Sequence, residues 1–229
     1  MSPRGQNGLG QMTTRVRLAL VAAGIVAGGA LIAYYITSFL VVTPPSVAAS
    51  GTGKQAQLTL QTVAAFGHPP HVDWVTYLAR EPNGKWVHST VLHVPAYATV
   101  KVTVYQFDTA TGLRNPFWGQ PRGTVGGTIN VNGKATNVLN PDDASHTFAI
   151  PDLGVSVPLK GIADNAKNQC GVAPCALSMA HTTTTFVFKT GKPGKYRWQC
   201  FVPCAFQFPL GFGGPMQSLG WMDGYLMVG

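Results

Sequence analysis

A run of 25 residues without a single charge, Leu18 to Val42 (LALVAAGIVAGGALIAYYITSFLVV), constrains this chain more than any other feature. As one helix it would extend about 37 Å at 1.5 Å per residue, enough to cross a ~30 Å hydrocarbon core with some tilt. A helix apolar on every side has no face to offer water, so it does not sit on the surface of a soluble domain. Arg4, Arg15 and Arg17 precede the run with no acid among them, and the first charge after it is Lys54. Positive flanks stay on the cytoplasmic side, which predicts an N-terminus inside and the remainder outside. The rival reading, a cleaved signal peptide, asks for a shorter apolar core of about 7–15 residues. The expected organisation is a cytoplasmic N-terminus at 1–17, a transmembrane helix at 18–42, a linker at 43–57 and one folded domain at 58–229. The linker assignment rests on the small, polar, Pro-containing composition of TPPSVAASGTGKQAQ. The chain is then a single-pass protein of the cytoplasmic membrane with its domain on the outer face.

The outer part reads as β-structure. Thr99–Phe107 (TVKVTVYQF) alternates strictly, with Val100, Val102 and Val104 on one side and Lys101 and Thr103 on the other. Similar short runs recur at Val72–Leu78, Val87–Val94, Thr128–Asn132, His146–Ile150, Thr183–Lys189, Lys195–Phe201 and Tyr225–Val228. Turn dipeptides such as Asn83-Gly84, Asn132-Gly133 and Pro193-Gly194 punctuate them. Many short strands separated by turns predict an antiparallel sandwich or barrel. Only 10% of residues are charged, against roughly a quarter in ordinary soluble domains, while 11 Phe, 7 Tyr and 5 Trp are available for a core. Disorder and long-helix architectures are excluded on that ground. The net charge of +8 is spread along the chain with no block of five like charges, so no nucleic-acid partner is indicated.

Chemistry-bearing residues are few. The sequence holds no G-x-S-x-G, no phosphate-binding Gly-Lys loop, no H-E-x-x-H and no EF-hand run, and its 8 acids are scattered. Nothing therefore points to an independent hydrolase. All four cysteines, Cys170, Cys175, Cys200 and Cys204, lie in the exported part, where thiols become disulfides or metal ligands. Cys170 and Cys175 share a Gly/Pro loop, and a disulfide is expected there. Of the histidines, His68 and His71 flank a Pro-Pro turn, and His88 and His93 are expected on opposite sides of one strand with structural roles.

Two segments carry a specific resemblance. One is His146-Thr147-Phe148-Ala149-Ile150-Pro151 followed by Leu153-Gly154-Val155; the other is Gly194-Lys195-Tyr196-Arg197-Trp198-Gln199-Cys200 with Cys204. They resemble the cupredoxins, and most closely the exported copper domain of cytochrome c oxidase subunit II, over roughly residues 86–229. The resemblance implies an all-β, cupredoxin-like Greek-key β-sandwich after one N-terminal transmembrane helix. It also implies copper as cofactor and electron transfer to or within a respiratory oxidase, or exchange with a haem or cupredoxin partner. The chain departs from the family pattern after Cys204. The second His position is Phe208, the Met position is Gly211, and no His follows Cys204. The donors that remain are His146, Cys200, Cys204 and a sulfur from Met216 or Met222, a set that favours Cu(I) or another soft ion. His181 is a further candidate for the lost imidazole. Three alternatives stand beside this reading. Cys200 and Cys204 close a disulfide, or pair with Cys170 or Cys175, in a metal-free accessory sandwich. Alternatively, the protein stores or delivers copper without passing electrons.

Overall fold

A computed structural model describes residues 13–37, 45–64, 71, 73–112 and 115–229. The chain divides into two units, 1–42 and 43–229. In the first, helix α1 runs from Thr14 to Tyr35 with none of its residues buried. Its 22 residues give about 33 Å of rise, and an 18-residue stretch of it has a mean hydropathy of 2.1, so it is long and apolar enough to cross a membrane. The stretch 38–42 of the apolar run, like His68, lies outside the described residues.

The second unit is mostly β. Its strands in chain order are β1 (Ser46–Ala48), β2 (Ser50–Thr52), β3 (Gln55–Val63), β4 (Thr76–Arg80), β5 (Trp86–Val87), β6 (Val91–Val94) and β7 (Thr99–Gln106). There follow β8 (Ile129–Val131), β9 (Lys134–Thr136), β10 (Ala144–Ile150), β11 (Val155–Lys160), β12 (Thr182–Lys189), β13 (Gly194–Gln199) and β14 (Asp223–Val228). One sheet runs β1-β6-β14-β13-β10-β11; the other runs β5-β4-β3-β7-β12-β8-β9, with β2 on β3. Most neighbours are antiparallel, but β3 lies parallel to β7, and β6 lies parallel to both β1 and β14.

Alternation builds the core. Val100, Val102 and Val104 of β7 are fully buried, and Ala56, Leu58 and Leu60 of β3 face the same interior. Phe186 and Phe188 of β12 join them. From the other sheet come Phe148, Ile150 and Trp198, with the Trp198 ring stacked 4.8 Å from Phe148. Tyr77 of β4 crosses the gap, meeting Trp198 edge-on at 5.0 Å and donating its hydroxyl to the Thr147 carbonyl at 3.1 Å. Each such aromatic removes enough apolar surface from water to contribute about 2–3 kcal/mol.

Two expectations are corrected here. The segment 43–57 is expected as a linker, yet it holds β1, β2 and the start of β3. Small polar residues do not prevent backbone pairing: Ser46 to Ala48 align with Val91 to His93, and Val47 enters the core. The strand expected at Val87–Val94 is two strands in different sheets, β5 on β4 and β6 on β14. The chain changes sheet at Ser89 and Thr90, which are buried. Thr90 fixes the crossing, its carbonyl accepting from Trp198 Nε1 at 3.0 Å and its Oγ1 from the Gly220 amide at 2.8 Å.

Candidate metal centre

Three chain segments meet where β10 begins, β13 ends and the chain leaves β7. β10 supplies His146 and Thr147, and the chain leaving β13 supplies Cys200 and Cys204. The Cys200 amide donates to the Met222 carbonyl at 2.9 Å, and the Gln199 side chain donates to the Met216 carbonyl at 2.7 Å. These bonds tie the cysteine loop to the segment entering β14. The register between β10 and β11 shifts between Ala144 and His146. Such a bulge re-aims a side chain at the end of a strand.

Among the described residues, one group of His, Cys, Asp or Glu has ligand atoms close enough to share a metal ion: His146, Cys200 and Cys204, all within 4.8 Å of one another and all buried. His146 Nδ1 lies 3.9 Å from Cys200 Sγ, and the two cysteine sulfurs are 3.8 Å apart. That separation is far from the ~2.05 Å of a disulfide, and both cysteines are free. Met216 brings its Sδ to 3.0 Å from Cys204 Sγ. Met222, also buried, contributes its backbone carbonyl to the Cys200 amide. Cys170 and Cys175 form the expected disulfide in a separate small cluster with Val63 and Phe107.

Sequence reasoning missed Asp108. Its Oδ2 accepts from His146 Nε2 at 3.1 Å, which leaves Nδ1 facing the sulfurs. A carboxylate on the far ring nitrogen fixes the tautomer and orientation of a ligating imidazole. Asp108 sits 38 residues before His146, just past the end of β7, and no local motif ties the two together. Its rarity, as one of 8 acids in the chain, was the only signal available. Thr147 was missed as well: its amide donates to Cys200 Sγ at 3.4 Å, and its Oγ1 accepts from the Phe201 amide at 2.7 Å.

Electrostatics follow from this packing. Burial works against a charged His146 ring, but hydrogen bonds to Asp108 and Cys200 and the nearby negative charges outweigh it, lifting its pKa to about 9. Burial also opposes a Cys200 thiolate, yet hydrogen bonds from Cys204 and His146, the imidazolium charge and the Thr147 amide hold its pKa well below the thiol range. Cys204 moves the other way, pushed up by burial and by its neighbour Cys200. The two shifts run in opposite directions, so the first proton of the pair is lost from Cys200. Burial raises the Tyr77 phenol, and the charge on Cys200 and Cys204 adds to the effect. A nitrogen, two cysteine sulfurs and a thioether make a soft donor set, suited to Cu(I) and poorly suited to hard cations such as Ca2+ or Mg2+.

The positions where the subunit II pattern places further ligands are filled otherwise. Phe208 sets its ring edge against Trp74 at 6.1 Å, and a Cβ on Gly214 would come within 2.3 Å of that ring. Gly211 has φ near +75°, and a Cβ there would meet the Pro203 carbonyl at 2.6 Å, so no side chain fits. His181 hydrogen-bonds the Met179 carbonyl at 2.9 Å and packs on Tyr105 and Phe107, away from the sulfurs. His88 shares a 2.8 Å hydrogen bond with Thr76 and lies edge-on to Trp221, His71 stacks on Trp74, and His93 is exposed in β6. Phe201 stacks on Trp118 at 4.6 Å, whereas Trp198 is wholly enclosed.

No family model matches the chain, and no curated protein does. Among solved structures it is similar to the metal-binding domain of the Streptococcus pneumoniae Cu(I)-exporting P-type ATPase. The identity there is 8%, over 82% of this chain and 99% of that one, with a TM-score of 0.35. It is also similar to rusticyanin from Thiobacillus ferrooxidans, at 17% identity over 82% and 85% of the two chains, with a TM-score of 0.33. Identities and scores this low leave the reading of the site to the chain's own residues.

Proposed function

We propose that this protein is a membrane-anchored, copper-binding protein of cupredoxin type, with His146, Cys200, Cys204 and Met216 as the ligand set. The observation that carries the reading is the buried cluster itself: an imidazole turned by Asp108 toward two unbridged cysteine sulfurs, with a thioether against the second. Met216 is preferred to Met222 because its sulfur touches Cys204. Bound copper supplies one-electron chemistry. The residues supply the rest. Asp108 and Thr147 orient the imidazole and the Cys200 sulfur, and Tyr77, Phe148 and Trp198 keep water from the interior behind them. His146 is held within β10, and Cys200 directly follows β13 with its amide bonded to Met222, a mounting that suits electron passage to or from an acceptor at the membrane, a respiratory oxidase in the first instance. Helix α1 holds the domain at the outer face of the cytoplasmic membrane, N-terminus inside, following its arginine-rich flank.

A second reading, copper storage or delivery, is favoured by one specific observation. With Phe208 and Gly211 in place of further ligands, the donor set has one nitrogen and three sulfurs, and such a set holds the reduced ion. Redox titration of the full chain in detergent separates the two. A reversible couple with a thiolate-to-Cu(II) absorption that vanishes in Cys200→Ser supports electron transfer. A colourless protein that binds one Cu(I) with no reversible couple supports delivery. Failure to bind either ion overturns both.

A further inference from the structure

Of the four proposed donors, three are completely enclosed: His146, Cys200 and Met216 have no exposed surface. Cys204 retains 5% and forms part of the wall of a cavity of about 570 Å3. The cavity lies between the β7 loop, at Asp108 and Thr111, and the loop 203–211, and Asp73 and Trp74 also line it. Its described lining contains two carboxylates, Asp73 and Asp108, and no Lys or Arg, in a chain where basic residues outnumber acids 16 to 8. Described walls that carry carboxylates and no Lys or Arg favour cations over anions, because low-dielectric walls focus the field of the few charges present. The exposed Gln207, whose amide donates to Asp73 at 2.7 Å, stands at its wall.

We propose that this cavity is the route by which Cu(I) enters and leaves the centre, with Cys204 the first sulfur an arriving ion meets. The inference rests on the copper-binding reading above and adds to it the direction of loading. The oxidation state does not change on entry, and the Cys204 thiol proton passes to water as the ion binds. Cys200 and His146 lie behind Cys204, at 3.8 Å and beyond, and take up the ion only after it has passed the cavity.

Two measurements on the detergent-solubilised full chain test this. In the first, acetonitrile-stabilised Cu(I) is mixed with metal-free protein, and the thiolate-to-Cu(I) ultraviolet absorption is followed by stopped flow. Asp73→Lys is expected to slow loading about fivefold at low ionic strength, an effect that shrinks in high salt, with the final amplitude unchanged. Gln207→Trp, which narrows the cavity without touching the ligands, is expected to slow loading at both salt concentrations. In the second, metal-free protein is treated with iodoacetamide and mapped by mass spectrometry; Cys200 has the lower pKa but no exposed surface, so access through the cavity sets the order and Cys204 is expected to react before Cys200. Wild-type loading rates in both variants, or prior alkylation of Cys200, overturn the route. A wild-type protein that takes up no Cu(I) instead overturns the copper reading, and the order of alkylation then still reports which cysteine the cavity exposes.

Discussion

The chain contains two cysteine pairs of nearly equal spacing, and they have opposite fates. Cys170 and Cys175 are bonded in a loop, their Cα atoms 5.8 Å apart, beside Val63 and Phe107. Cys200 and Cys204 are free, with sulfurs 3.8 Å apart. Spacing does not separate the two pairs; surroundings do. Among the described residues no ion pair involves the first pair, and a closed disulfide leaves no thiol to satisfy. Around the second pair, each sulfur has a partner besides its twin: Cys200 the His146 ring and the Thr147 amide, Cys204 the Met216 sulfur. A disulfide there would leave the buried Nδ1 of His146 facing sulfur that can no longer act as thiol or thiolate. The contrast teaches that a pair of neighbouring cysteines is read correctly only together with what faces it.

This contrast can be broken outright by replacing Cys200. Cys200→Ser is expected to abolish copper binding by equilibrium dialysis while leaving the Cys170–Cys175 bridge intact; retained stoichiometric binding would remove Cys200 from the ligand set. Thiol titration of the denatured but unreduced protein sharpens the same point, with two reactive thiols expected. A count of zero would mean that the second pair is also oxidised, and the comparison would collapse. Asp108→Asn keeps a hydrogen bond to His146 but removes the carboxylate charge, and is expected to weaken Cu(I) affinity by about 10–100-fold, measured by competition with a chelator. An unchanged affinity would leave Asp108 as a packing residue. The double variant Cys170→Ala, Cys175→Ala addresses the other pair. The short loop predicts a loss of roughly 2 kcal/mol in denaturant unfolding, with copper affinity unaltered. Met216→Leu is expected to have the smallest effect, because a thioether is the weakest donor and leucine fills nearly the same volume. It should reduce affinity by about tenfold or less and cost under about 1.5 kcal/mol of stability.

Much of the β-framework was legible because period-two alternation is a direct consequence of burying one face. Thr99–Gln106, Thr182–Lys189 and Ala144–Ile150 fall where the pattern placed them. What escaped had a physical reason in each case. Strand β3 was hidden because its first residues look like linker, although Ala56, Leu58 and Leu60 alternate as clearly as the valines of β7. The β5–β6 break was hidden because the chain passes between sheets without a turn residue, relying on Thr90 to satisfy Trp198 and Gly220. At the site, His146, Cys200 and Cys204 could be named from their spacing and resemblance. The choice of Met216, the role of Asp108 and the exclusion of His181 could not, since each depends on contacts between segments far apart in the chain.

By itself the sequence determined an apolar N-terminal helix, an alternating β-domain and a short set of soft donors, because hydrophobic periodicity and ligand chemistry are written residue by residue. Tertiary structure alone decided which donors converge, which nitrogen of His146 faces them, and which cysteine pair closes into a bridge. Those outcomes depend on the distances at which β7, β10 and β13 bring their ends together, and a linear chain does not record such distances.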